Sequence, residues 1–230
     1  MCKKLTSLLL VLCMVLSVGT CFVYADSTSS TATLNNITCS TTIKDGNIVE
    51  TVHMIDSDGV PATLIKTTSP NNTYTLELIK NGEHSIDVGR VNYDAVFAGT
   101  KDALPISPYE ARPNTTEIFL GTSSNVTYIG PEWGTAAFLA KLIARKMPNT
   151  SLKVATKIAG KICSLFDSPV PLWIKKVTSS YEVHGVGGAG FLGYYHMYDS
   201  FYTYTHSDTT GPDYLQPPTY SDRFGNTPGV

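Results

Sequence analysis

The chain has 230 residues, 42% hydrophobic and 16% charged, with 17 basic and 19 acidic side chains. That is enough apolar material for a real core in one domain or two small ones. The slightly acidic balance excludes a general nucleic-acid binder, which would be basic overall, and no nucleic-acid partner is expected.

Lys3 and Lys4 give a positive start, Leu5 to Val18 an apolar run, and Val23-Tyr24-Ala25 a small-residue cleavage pattern. Residues 1–25 are therefore expected to be a secretory signal peptide cut after Ala25, and the product a secreted, extracellular protein. A lipoprotein with Cys21 as its lipidated residue is the competing reading, but Thr20 stands where a smaller residue is expected. The compact Lys-Lys start looks bacterial. The exported part carries 15 basic against 19 acidic side chains, a net −4. Cys2, Cys13 and Cys21 leave with the signal, and Cys39 and Cys163 remain. In an oxidising compartment they invite a disulfide; the other reading is two separate buried thiols. Neither has a partner at ligand spacing, so no metal and no cofactor is expected.

Residues 26–93 read as a β-rich N-terminal unit behind a short Ser/Thr-rich leader. Ile48, Glu50, Val52 and Met54 alternate with Val49, Thr51, His53 and Ile55, and Asp56-Ser57-Asp58-Gly59 makes a turn. Val60 to Thr67 returns, Tyr74 to Ile79 alternates again, and Asn81-Gly82 is the strongest two-residue hairpin signal in the chain. Ser85 to Tyr93 closes a four-stranded antiparallel meander. Residues 94–132, with Pro105, Pro108 and Pro113, read as a connecting segment with short strands at 117–120 and 125–129.

Residues 133–206 form the second unit, a helical hairpin plus a β-hairpin. Ala137, Leu139, Ala140, Leu142, Ile143 and Met147 recur at helical spacing, Pro148 ends that helix, and a second starts near Ser151. Lys153, Lys157 and Lys161 repeat every four residues opposite Leu152, Ala155, Ile158 and Ile162, while Lys141 and Arg145 stand one turn apart on the first helix. Between residues 141 and 176 there are eight basic residues against Asp167 alone. Such a hairpin can touch an anionic membrane surface or cell wall through Lys141, Arg145, Lys153, Lys157 and Lys161. The alternative is a core element with its lysines solvated, as core helices usually show.

Leu172 to His184 and Phe191 to His206 read as a long hairpin, and Tyr194, Tyr198, Tyr202 and Tyr204 share one side of its second strand. That row is either a ligand face for sugars, wall polymers or a partner chain, or a cover for the helices. Residues 207–230, with four prolines, are expected to be a disordered tail.

No Gly-x-Ser-x-Gly elbow and no His-Glu-x-x-His occurs, so no enzyme is expected. Over roughly residues 130–206 the layout, an Ala/Lys helical hairpin followed by an aromatic β-hairpin in an exported chain, resembles secreted proteins of Gram-positive bacteria. Among these are large unmodified bacteriocins of the geobacillin kind. The resemblance lies in architecture without a diagnostic motif, and carries no site residue over. It implies an exported protein acting on neighbouring cells or on the producer's own envelope, with an immunity or export partner. The expected fold is α+β: an antiparallel β-meander, then a two-helix hairpin packed with an aromatic-rich β-hairpin. The expected function is antibacterial or envelope-active through the cationic hairpin. A cell-wall or carbohydrate-binding module using the tyrosine face, or a structural extracellular component, is the alternative.

Overall fold

A computed structural model describes residues 37–91 and 115–225. The expected signal peptide and the proline-containing connection before Thr115 lie outside the described residues. Among the described residues nine strands form two antiparallel sheets, with two helices inserted between the first and second strands of the second sheet, so the fold is mixed α+β with strands dominating.

Sheet 1 is a meander in sequence order of β1 (Thr38–Lys44), β2 (Asn47–Ile55), β3 (Pro61–Thr68), β4 (Thr73–Lys80) and β5 (Glu83–Arg90). Turn chemistry fixes it at both ends. Asp45-Gly46 and Asn81-Gly82 both take positive φ at both residues, 51° and 77°, then 52° and 77°. That is the type I′ geometry whose twist matches the flanking strands. The meander has five strands where four were expected, because the Asp45-Gly46 turn adds β1 in front.

Strand alternation gives sheet 1 one apolar face. Val52, Met54, Ala62, Leu64, Leu76 and Leu78 are buried on it, and the register places them side by side across β2, β3 and β4. Against this face lie α1 (Ala136–Lys146) and α2 (Leu152–Cys163), which also pack on each other. Thr135 and Ser151 cap them, each accepting a backbone N–H three residues on, from Phe138 and Val154. Small residues suit the close approach: Ala136, Ala137, Ala140, Ala144, Ala155 and Ala159 are all buried.

Sheet 1 also carries charges on its inner face, and they meet the helix ends. Asp56 accepts the Ala137 N–H at 2.9 Å, at the start of α1, and pairs with Lys80 at 2.6 Å. Glu50 accepts the Leu152 N–H at 3.1 Å at the start of α2. Lys66 donates to the Pro148 and Thr150 carbonyls, at 2.6 and 3.0 Å, in the turn between the helices. Acids thus sit at helix N-termini and a cation at the C-terminal side of α1, as the helix dipole favours. Desolvation dominates the Glu50–Lys66 pair, raising the carboxyl and lowering the ammonium from their usual pKa values although the two lie 3.7 Å apart.

Sheet 2 runs β6 (Thr115–Ile129), β7 (Leu172–Gly185), β8 (Phe191–Tyr204), β9 (Thr219–Gly225). Three expectations are corrected here. The two short strands expected at 117–120 and 125–129 are one strand of 15 residues, because Gly121 absorbs a register shift in place of a turn. That strand belongs with the second sheet and does not form a separate connecting segment. The expected disordered tail is ordered through residue 225: its second half is β9, paired with β8 from Phe201 opposite Thr219 to Tyr195 opposite Gly225. The helices pack mainly on the meander; the aromatic hairpin is not their principal partner, although the core continues into sheet 2 through Ile129, Leu172, Ile174 and Phe201.

Candidate functional site

The helical lysines do not form one exposed cationic face. Lys141 is 4% exposed; its ammonium lies 2.9 Å from the Asp87 carboxylate and donates to the Ser85 carbonyl and hydroxyl at 2.9 and 2.6 Å. Arg145 is exposed beside the same Asp87, at 3.5 Å. Lys161 is half-buried and reaches the Pro217 carbonyl at 3.3 Å. Lys153 and Lys157, like Arg145, are exposed. The apolar face is closed as well, with Leu142 at 3% and Ile158 at 1% exposure. No described helix is long and apolar enough to cross a membrane.

Of the two readings left open for Cys39 and Cys163, a disulfide or two separate thiols, the structure shows both cysteines free, Cys39 buried and Cys163 half-buried. Cys39 feels the charges of Lys153 and Glu50, which mark the start of α2, whereas Cys163 is the last residue of α2. Burial pushes the Cys163 thiol up to about 11, and Cys39 is also raised.

Sheet 2 brings together what the sequence leaves scattered. Its core-facing side holds a buried ionic cluster: Asp199 accepts from Thr178 at 2.6 Å and from Arg223 at 2.8 Å, and Lys176 lies 3.0 Å away. One carboxylate serves two cations. Desolvation works against the Asp199 charge, but Arg223 and Lys176 outweigh it and hold the carboxyl below its usual range. Desolvation, with repulsion from Arg223, lowers Lys176 to about 8.

The outer side carries aromatic rings in register. Phe119 of β6 lies opposite Tyr181 of β7, which lies opposite His196 of β8, which lies opposite Phe224 of β9. The rings touch: Phe119 and Tyr181 have centroids 5.3 Å apart, Tyr181 and Tyr198 meet edge-on at 5.4 Å, and His196 stacks on Phe224 at 4.0 Å. This ribbon crosses all four strands. Phe119 is 57% and Tyr198 42% exposed, and Tyr220 at 65% extends the surface along β9.

Acids border the ribbon. Glu117 hydrogen-bonds Nδ1 of His196 and accepts the Tyr198 hydroxyl at 3.4 Å. Asp222 lies 3.7 Å from Nε2 of the same imidazole. The Tyr198 phenol is raised by partial burial and by the Glu117 carboxylate. The lysine of this face, Lys175, stands three rungs along β7 from Tyr181 and donates to the Thr209 carbonyl at 2.9 Å.

The expected tyrosine row is thereby split. Tyr198 belongs to the exposed ribbon, and Tyr202 is half-buried against Tyr214 at 5.5 Å. Tyr204, at 2% exposure, sends its hydroxyl to the Gly211 carbonyl, because residues 205–218 fold back over that end of the sheet. Tyr194 is buried at 5%. The sequence pattern places His196 in the same row as Tyr198 and Tyr181 on the facing strand, but it does not single out Phe119, Glu117, Asp222 or Phe224, which come from β6 and β9. Among the described residues no group of three His, Cys, Asp or Glu is arranged to hold a metal.

No family model, no curated protein and no solved structure matches this chain.

Proposed function

We propose that this is an exported, non-enzymatic binding protein that docks cell-wall glycan on the outer face of sheet 2. The observation that carries the reading is the ribbon of Phe119, Tyr181, Tyr198 and Phe224, rigid on four paired strands and exposed at Phe119 and Tyr198. Flat rings with polar tips present large contact area at little entropic cost, which suits the apolar faces of sugar rings. Glu117 and Asp222 add acceptors for sugar hydroxyls at its border.

The rival reading, an envelope-active cationic hairpin, has less behind it. The apolar helix positions that would enter a membrane interface are the core of the molecule, and Lys141 is spent on Asp87. The two readings separate in cosedimentation of the mature chain with purified Gram-positive cell walls and with anionic vesicles. Glycan docking predicts wall binding that falls at least about ten-fold, some 1.4 kcal/mol, in Phe119→Ala/Tyr198→Ala and stays unchanged in Lys153→Gln/Lys157→Gln. Wall binding that ignores the aromatic pair, or vesicle binding that follows the lysines, overturns it.

A further inference from the structure

His196 is held between two acids with only one donor to share. Glu117 is an acceptor facing Nδ1, so in the neutral imidazole Nδ1 carries the proton. That leaves the Nε2 lone pair 3.7 Å from an Asp222 oxygen, two acceptors facing each other. Nε2 is buried and makes no hydrogen bond, and the His196 side chain is 6% exposed. A buried polar atom without a partner is costly. The groups around it are Glu117 from β6, Tyr181 from β7, Tyr198 from its own strand, and Asp222 and Phe224 from β9; none is a cation. The site therefore has acceptors, negative charge and ring faces, and lacks a positively charged donor.

Resting on the glycan reading above, we infer that the sugar seated at this end of the ribbon carries a free ammonium group, as in a de-N-acetylated amino sugar. Its N–H groups supply the donor missing between Nε2 and Asp222. Asp222 is 65% exposed on an edge strand, so its carboxylate can turn aside to admit the ligand. The ammonium charge is compensated by Asp222 and Glu117 through charge-assisted hydrogen bonds, and the Tyr198 ring supplies a face that attracts cations. An acetylated nitrogen has one N–H, no charge and an added acyl group, and an anionic polymer would meet two carboxylates. Both are poorer fits.

Isothermal titration of the mature protein with oligomers of glucosamine and of N-acetylglucosamine, equal in length, tests this. The amine form binds at least about ten-fold tighter, with an affinity that weakens as salt rises. Asp222→Asn removes most of that preference, lowering the affinity of the amine form far more than that of the acetylated form, while Tyr198→Ala weakens both. Equal affinity for the two oligomers, with both still lost on Tyr198→Ala, overturns the ammonium assignment and leaves the aromatic face standing. Failure of either oligomer to bind, while walls are still bound through Phe119 and Tyr198, also overturns it. Failure of oligomers and walls alike overturns the glycan reading itself.

Discussion

Replacing Lys176 by methionine should stabilise this protein, although Lys176 forms a close ion pair. The side chain is 7% exposed and shares Asp199 with Arg223. Its pKa of about 8 against an ordinary 10.5 means that burial costs the charged form more than Asp199 returns. That gap, about 2.5 units at about 1.4 kcal/mol each, is roughly 3 kcal/mol at neutral pH. The sign follows from proton binding: between pH 8 and 10.5 the unfolded chain holds this proton and the folded chain does not, so stability rises with pH across that window. Below pH 8 the full penalty is present. Methionine fills a similar volume, removes the surplus cation and leaves Asp199 paired with Arg223, a replacement of the kind that often stabilises. Losing the contact of Lys176 with the Phe201 ring, 5.7 Å away, reduces the gain. Urea unfolding at pH 7 should show Lys176→Met more stable by about 1–3 kcal/mol, with the difference shrinking towards zero near pH 10.5. A loss of 1 kcal/mol or more at pH 7, or a gain that does not change with pH, would refute the reasoning.

Lys66→Met should behave oppositely, because its removal leaves Glu50 without its cation and strips a donor from the Pro148 and Thr150 carbonyls. A loss of about 2–4 kcal/mol in the same urea assay is expected, and a neutral result would mean that the sheet-to-turn anchor is incidental. The thiols give a third check. Native protein lacking residues 1–25 should alkylate slowly at Cys39 and Cys163 at pH 8, both raised by burial, and unfolding without reductant should expose both thiols; failure of either to react would show a bridge, against the free thiols of the structure.

Much of the meander was legible because its turns announce themselves. Asp56-Ser57-Asp58-Gly59 and Asn81-Gly82 bracket clean alternation, and one buried face follows. The helices were legible from their 3.6-residue period and from Pro148. What failed was the fate of charges. Periodicity puts Lys141 on a polar side, but its environment is decided by Ser85 and Asp87 on β5, far away in sequence. β6 was split because Gly121 to Ser124 has turn composition, although in the sheet it continues as strand. β9 hid behind the prolines before it. Of the aromatic ribbon only the β8 part, Tyr198, was legible as a candidate face; the rest comes from three other strands that only the register aligns.

The insertion of α1 and α2 between β6 and β7 sets an order of assembly. The meander joins neighbours through short turns, whereas β6 and β7 can zip only by closing a loop that contains both helices, a cost that grows with loop length. Once the helices have docked on sheet 1, that loop is already folded and its ends are held near one another. The outer face of sheet 2, the proposed docking surface, is then expected to form last. Pulse-labelled hydrogen exchange should find β3 protected before β7, and the reverse order would contradict this sequence of events.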